Sequence, residues 1–187
     1  MNKTIAVLAT LDTKGLESNY LREQIEKLGE STLLIDMGVI GEAETRTDID
    51  RRELAAAGGT PLEDLLKNPI RQDAAPVMAD GAIRIITRLI DEGQIHAIIC
   101  LGGTQGTTNG GKVLQTLPYG FPKIMVSTMA SGDTSPFVGI KDITMMFSVS
   151  DILGLNTFTC RILANAAGAA RGMAQIDQPI NSEKKDR

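Results

Sequence analysis

The stretch "HAIICLGGTQGTT" (96–108) decides the fold. Its first part, as far as Leu101, is a continuous apolar run, which is typical of a strand buried on both faces of a sheet. Two glycines follow this run, and a segment rich in threonine then begins a helical pattern. A buried strand that passes directly into a helix is the repeating unit of a parallel α/β sheet.

The same alternation extends outward in both directions along the chain. Four further apolar runs predict strands at 3–10, 31–36, 121–128 and 143–150. Helical periodicity predicts longer helices at about 17–28, 74–92, 104–117 and 155–174, and shorter helical pieces at 51–57 and 61–68. The sequence therefore predicts an α/β fold with a doubly wound, mainly parallel sheet of about five strands, a Rossmann-like three-layer sandwich.

The composition excludes several classes of protein. A net charge of −4, 3% aromatic residues and no tryptophan argue against binding to nucleic acid. No apolar stretch reaches the ~20 residues of a membrane helix, and the first ten residues do not resemble a signal peptide, so we expect a cytoplasmic protein. Cys100, Cys160 and the single His96 fit neither a disulfide scaffold nor a zinc cluster, and no metal site is predicted from side chains.

The 187 residues suit one domain with a substantial core. We assign 1–175 to a Rossmann-like, nucleotide-binding subdomain. The remaining stretch, 176–187, is polar and is interpreted as a tail or a linker to a second subdomain that this chain lacks.

The glycine segment is the first candidate binding site. Gly102 and Gly103 fall at the turn after the strand, where a missing Cβ lets a phosphate approach, and the next helix should begin near Thr104–Thr107. Backbone N–H groups at that helix start favour an anion. The alternative is a tight turn with helix-capping threonines. The candidate ligand-binding residues are Gly102, Gly103, Thr104, Gln105, Gly106 and Thr107.

The same segment also resembles an ATPase phosphate loop, because Gly111 and Lys112 follow Gly106 at the expected spacing. Val113 stands where that loop needs Ser or Thr to hold Mg²⁺. Lys112 would also lie more than a helical turn inside the helix. We therefore interpret the match as accidental.

The segment "TLDTKG" (10–15) after the first strand is the second candidate. It lacks the G-x-G-x-x-G fingerprint of dinucleotide sites but carries hydroxyls, a carboxylate and an ammonium group at a helix start. The alternative is a plain N-cap from Asp12 or Thr13. The candidate residues here are Thr10, Leu11, Asp12, Thr13 and Lys14.

Two further candidates follow other strands. Asp36 ends the second strand, where a carboxylate accepts ribose hydroxyls in many nucleotide folds, or it is a turn residue. The stretch 127–142 after the fourth strand has 16 residues without periodicity, which indicates either function or disorder. Its candidate residues are Met129, Ser131, Gly132 and Asp133.

Three motifs in order resemble a known family: "TLDTKGLE" (10–17), "CLGGTQGT" (100–107) and "STMASGDTSPFVGIKDITMMFSVSDILGLN" (127–156). They are similar to the amino-terminal subdomain of the ATP-binding family that includes the tomato mosaic virus resistance protein. The likeness covers about Lys3 to Met173. It implies a Rossmann-like subdomain, nucleotide binding at these loops, a second α/β subdomain in other members and assembly into homodimers.

Three functions are consistent with these residues. The first is a module that binds ATP, with or without Mg²⁺, through the glycine-rich and threonine-rich loops. The second is an enzyme acting on a phosphorylated or ATP-activated small acid, with Asp12, Lys14 and Asp133 around the reacting centre. The third, an NAD-type oxidoreductase, is disfavoured by the missing glycine fingerprint.

Overall fold

The computed structural model describes residues 2–67 and 71–176. The strands are β1 (Thr4–Ala9), β2 (Ser31–Asp36), β3 (Ala97–Gly102), β4 (Lys123–Ser127) and β5 (Thr144–Phe147). The helices are α1 (Leu11–Lys27), α2 (Arg51–Gly58), α3 (Leu62–Lys67), α4 (Arg71–Asp91), α5 (Thr104–Thr116), α6 (Ser135–Val138) and α7 (Thr157–Ala174). The predicted tail, apart from Ile176, lies outside the described residues.

The five strands form one sheet in the order β2-β1-β3-β4-β5, and every pair is parallel. The predicted fold class is confirmed. This order reverses direction between β1 and β3, since the chain winds one way to reach β2 and the other way to reach β4. The connections that leave the carboxyl ends of β1 and β3 therefore turn to opposite faces of the sheet. This leaves a crevice between them, where such folds bind ligands.

Helices cover both faces of the sheet and bury two separate apolar cores. Along β1, Ala6 and Leu8 face the core shared with α2, α4 and α5, whereas Ile5 and Val7 face the core shared with α1 and α7. All four side chains are fully buried. The unbroken apolar run of the sequence thus reflects a strand with a core on each side.

The prediction that the first helix begins near Glu17 is wrong. Helix α1 begins at Leu11, because the Thr10 carbonyl accepts hydrogen bonds from the amides of Thr13 and Lys14 and closes a turn directly after β1. Lys14 then departs from helical geometry with φ −128° and ψ 19°. The polar first turn showed no apolar periodicity, which is why the sequence placed the helix start too late.

The polar stretch after β2 first returns to the sheet and then forms the two predicted short helices. Ile49 forms a parallel bridge with Ile35, beside the outer edge of β2. Helix α2 is then capped by Asp50 and Glu53 in a reciprocal capping box. Within the described parts of the chain, none of the helices combines the length and the apolar character needed to cross a membrane.

Candidate functional site

A cleft of about 430 Å³ opens at the carboxyl ends of β1, β2 and β3. It lies at the crevice that the strand order creates, the usual ligand position in doubly wound sheets. Its walls come from the loops after these three strands, from α4 and from the segment that precedes α7. The lining residues are Thr10, Asp12, Thr13, Lys14, Met37, Gly38, Val39, Ile40, Ala75, Met78, Gly103, Thr104, Gln105, Gly106, Asn109 and Leu153.

The glycine turn after β3 forms one wall of the cleft. A Cβ on Gly102 would lie 2.5 Å from the carbonyl carbon of Gly106, so this glycine is needed for the close approach of α5 to its strand. A Cβ on Gly103 would meet nothing nearer than the Thr128 hydroxyl at 4.0 Å. Gly102 therefore serves the fold, whereas Gly103 leaves space at the cleft surface.

Helix α5 begins at this wall, and its N-cap residue, Gly103, has no side chain that could cap the helix. Thr104 and Gln105 are exposed to the cleft, while Gly106 leaves the backbone accessible. Unlike them, Thr107 is fully buried: its hydroxyl donates to the Gly102 carbonyl at 3.2 Å and lies 2.6 Å from the Ser127 hydroxyl. Thr107 joins the ends of β3 and β4 and does not line the cleft.

The turn after β1 forms the facing wall. The hydroxyls of Thr10 and Thr13 lie 3.2 Å apart, and the side chain of the N-cap residue Thr10 forms no cap hydrogen bond to α1. Asp12 and Lys14 are partly exposed in the same cleft, and the Asp12 carboxylate accepts the amide of Gly41 at 3.3 Å. A carboxylate and an ammonium group therefore face the space between the starts of two helices.

The missing caps distinguish these two helices from others in the fold. Helix α2 is capped by the Asp50 carboxylate, and the Asn156 side chain accepts two amides at the start of α7. The N-cap residues of α1 and α5 accept no such bond, although the buried Asp36 carboxylate accepts the Leu11 amide of α1, and both helix starts border the cleft. Helix starts without caps keep donors available and carry a partial positive charge, which favours an anion.

Asp36 lies behind the cleft wall and is buried. Its Oδ1 accepts the Leu11 amide at 3.0 Å and the Gly38 amide at 2.8 Å, which ties the loops after β1 and β2 together. Burial raises the pKa of this carboxyl group, and the nearby charge of Asp12 adds to the effect, against the two amides and Arg51. Asp36 does not line the cleft, and Leu11 is buried in the core.

The candidates from the segment after β4 lie outside the cleft lining. Ser131, Gly132 and Asp133 are exposed, and the Asp133 carboxylate accepts the amide and hydroxyl of Ser135. The Asp133 pKa is below its ordinary value because of these two hydrogen bonds. Met129 approaches the cleft edge, where its sulfur accepts the Thr104 hydroxyl at 3.5 Å.

Lys112 lies in the second half of α5, is exposed and does not line the cleft. The prediction that it sits more than a helical turn inside the helix is confirmed. In the described part of the chain, no cluster of three or more His, Cys, Asp or Glu side chains is arranged to hold a metal ion.

Sequence reasoning missed the apolar side of the cleft. Asn109 follows Gln105 by one turn of α5, so helical spacing was a usable signal for it. Leu153 gave no signal, because only the path of the chain between β5 and α7 brings it to the cleft. The lining residues missed were Met37, Gly38, Val39, Ile40, Ala75, Met78, Asn109 and Leu153.

Comparison with known proteins assigns the chain to a family. The model of the N-terminal domain of the uncharacterised protein family UPF0261 matches residues 3–179. The chain belongs to the UPF0261 family. A UPF0261 protein of Clostridium tetani is 50% identical over 98% of this chain and 46% of its own length. A UPF0261 protein of Mesorhizobium japonicum is 38% identical over 95% of this chain and 44% of its own length.

A plant relative agrees with the resemblance of the three motifs. The tomato (Solanum lycopersicum) ToMV susceptible protein tm-1(GCR26) is 27% identical over 89% of this chain and 24% of its own length. The expected family with a tomato member is thereby confirmed, whereas ATP binding stays a proposal. This UPF0261 chain spans about half the length of the bacterial relatives that it matches.

Proposed function

We propose that this UPF0261 domain binds the phosphates of an adenine nucleotide, ATP, in the cleft between the starts of α1 and α5. The observation that carries the proposal is the pair of helix starts that border one cleft and whose N-cap residues make no side-chain bond to the helix. Thr10, Thr13 and Thr104 add hydroxyl donors, and Lys14 adds a positive charge. Backbone amides and helix dipoles at such positions stabilise phosphate groups without a dedicated phosphate-loop lysine.

The opposite side of the cleft suits the base of the nucleotide. Met37, Val39, Ala75 and Met78 form an apolar wall, and Ile40 stands at its rim with 46% of its surface exposed. Asp36 would act from behind this wall by holding the loops after β1 and β2 in place. The cleft therefore has a polar side for a charged group and an apolar side for a flat ring, as a nucleotide requires.

A magnesium ion fits the proposed site when it arrives with the nucleotide. Mg²⁺ is usually held by one or two carboxylates together with substrate phosphates and water. Among the described residues that line the cleft, Asp12 supplies the carboxylate. Its role would be to hold the ion beside the phosphates.

The runner-up function is an enzyme that acts on a phosphorylated or ATP-activated small acid. Asp12 and Lys14 favour it, because both line the same cleft and neither is a helix cap. Asp133, the third residue expected at the reacting centre, lies outside the lining. Incubation of the protein with ATP and candidate acids, with phosphate release as the measurement, separates catalysis from binding.

A matched pair of substitutions in one loop-and-helix unit tests the binding proposal. Gly103→Val places a side chain in the cleft without a clash in the fold, so we expect ATP affinity to fall by about tenfold or more, at least ~1.4 kcal/mol. Lys112→Ala, outside the cleft, should keep the affinity within about threefold. Calorimetric titration with ATP and NAD measures both, and circular dichroism shows that each variant is folded.

The opposite result would reject the proposal. If Lys112→Ala abolishes ATP binding while Gly103→Val binds normally, the phosphates do not lie against the glycine turn. Thr104→Val, which removes a hydroxyl and keeps the shape, should fall between the two. Equal binding of NAD and ATP would favour the oxidoreductase hypothesis instead.

We also propose that the domain forms a homodimer through the exposed side of α7. Gly168 and Gly172 lie one turn apart on that side, and a Cβ at either position would contact nothing. Small residues at this spacing allow close approach of a second helix. Light scattering at micromolar concentration should give twice the 20.0 kDa mass of the chain, and a monomer would reject this contact.

A cytoplasmic location is the remaining proposal. It is supported by the two cysteines, which are both free thiols, with Cys100 buried. Burial raises the Cys100 pKa to about 12, so this thiol is unreactive at neutral pH. Cell fractionation with immunodetection would test the location directly.

A further inference from the structure

The outer edge of β5 is open. In a parallel pair, alternate residues turn their backbone groups toward the neighbouring strand, and the residues between them turn theirs away. The Ser148 amide donates to the Ser127 carbonyl, which places Thr144 and Met146 on the β4 side and Met145 and Phe147 on the outer side. Among residues 2–67 and 71–176, no hydrogen bond reaches the outward backbone groups of Met145 or Phe147.

Exposed apolar side chains continue along the chain from the end of β5 into the first turn of α7. Five are exposed, by 38% to 75% of their surface, and we call them the β5 surface. They are Phe147, Val149, Leu153, Leu155 and Phe158. Five exposed large apolar side chains between 147 and 158 favour an interaction site over ordinary surface.

Val149 in this surface has an unfavourable conformation. Its φ is +64°, a left-handed value that a β-branched residue rarely adopts. Its side chain is also 61% exposed, so burial within this domain does not compensate for the strain. A partner that covers Val149 would supply the missing apolar contact.

The lengths of the relatives indicate which partner this is. The matched family model is an N-terminal domain, and the stretch similar to this chain makes up 46% of the C. tetani protein and 44% of the M. japonicum protein. More than half of each relative therefore lies outside the matched stretch, and a carboxyl-terminal region follows the domain. That region is always present at high effective concentration in a longer chain.

We propose that the β5 surface binds the carboxyl-terminal region that follows this domain in longer UPF0261 proteins. A strand of that region adds to the outer edge of β5, and the rest of the region covers Val149, Leu155 and Phe158 where the chain crosses from β5 to α7. Leu153 belongs both to the β5 surface and to the cleft lining. The bound region therefore also contacts the cleft lining at Leu153.

Amide hydrogen exchange tests this proposal on one polypeptide. The carboxyl-terminal region of the C. tetani relative is joined after the last residue of this chain, and exchange is measured in the free chain and in the fusion, both without nucleotide. We expect the amides of Met145 and Phe147 to exchange about tenfold or more slowly in the fusion, because they gain partners. The Met146 amide, already in the ladder with β4, should change much less.

Matched variants show whether the β5 surface is responsible. Val149→Asn with Leu155→Asp, which removes two of its apolar side chains, should abolish the added protection. Leu66→Asp is the control, since Leu66 is an exposed leucine on α3, which packs beside α2. The protection should survive this control substitution.

Several results would overturn the proposal. These are equal exchange of the Met145 and Phe147 amides in the free chain and the fusion, or protection that persists in the Val149→Asn, Leu155→Asp variant. Protection in the free chain that rises with its concentration would identify a second copy as the occupant instead.

If the fusion does not fold, which fast exchange of the β1 amides would show, a second measurement tests the proposal. The full-length C. tetani protein is then cut at a protease site placed between its two regions. The two fragments should elute together in gel filtration, and their separation would overturn the proposal.

Discussion

The two edges of the sheet differ in whether their outward backbone groups have hydrogen-bond partners. At the β2 edge the Leu34 carbonyl accepts the amides of Asp48 and Ile49, and the Asp36 amide donates to the Ile49 carbonyl. The Asp48 carboxylate also accepts the Leu34 amide at 2.8 Å. At the β5 edge, no described residue provides such partners. The β2 edge is closed from within the domain at Leu34 and Asp36, whereas the β5 edge is left available to a partner.

The difference follows from the connections that leave the two strands. After β2 the chain has 14 residues before α2 begins, enough to turn back and lay Ile49 beside the strand. After β5 the nine residues before α7 lead the chain away from the edge of the strand, past the cleft, to the helix that packs beside α1. An uncovered edge invites pairing with another chain, so an open edge that is kept in a stable domain indicates a binding surface.

The largest expected effect on stability concerns the ion pair that anchors β5, a strand with no hydrogen bonds at its outer edge among the described residues. The ammonium of the fully buried Lys123 contacts the Asp142 carboxylate at 2.9 Å, just before β5. We expect Asp142→Ala to lower the free energy of unfolding by about 2–3 kcal/mol, less than the ~3–5 kcal/mol of a fully buried pair because Asp142 is 42% exposed. Urea denaturation measures this loss, and a loss below about 0.5 kcal/mol would contradict the role of the pair.

The same pair gives a pH dependence with a definite sign. Burial alone would raise the Asp142 pKa, but the hydrogen bonds from Lys123 and the Gly120 amide outweigh it and hold the pKa below its ordinary value. A depressed carboxyl pKa contributes stability above its unfolded-state value of 3.8, and this contribution is lost as the pH falls through the folded-state value. The Asp142→Ala variant should lack that part of the acid transition.

A smaller effect is expected at the closed edge. Asp48→Ala leaves the Leu34 amide without its acceptor and removes the ion pair with Arg22. We expect a loss of about 1–2 kcal/mol in the free energy of unfolding, the scale of one unsatisfied, partly buried donor. The exchange of the Leu34 amide should also accelerate. Unchanged exchange at Leu34 would mean that the chain closes this edge without Asp48.

The difference between the edges also shows what the sequence predicted well. The sheet and its layers were predictable, because continuous apolar runs and helical periodicity report burial on two faces or on one. Gly103 and Thr104 at the cleft were predictable for the same reason, since they follow a strand whose end was clear. Both depend on local pattern alone.

Edge pairing and much of the cleft depend instead on contacts between distant parts of the chain. The polar stretch around Ile49 has no strand pattern, yet it closes β2. The role of Asp36 as a tie between two loops, rather than a cleft residue, depends on the positions of the Leu11 and Gly38 amides. Leu153 reaches the cleft only because the chain turns there before α7. The spacing of residues along the sequence does not predict such long-range contacts.

The smallest expected effect is on stability at the open edge itself. Thr144 lies at the start of β5, and its side chain is exposed. Thr144→Lys should therefore change the free energy of unfolding of the free chain by less than about 0.5 kcal/mol, as for ordinary surface substitutions. A lysine on an edge strand does, however, oppose the addition of another strand. In the fusion with the carboxyl-terminal region, the variant should reduce the protection of the Met145 amide, although the domain is as stable as before. A loss of more than about 1 kcal/mol in the free chain would show that Thr144 is covered in solution, and the β5 edge would then be as closed as the β2 edge.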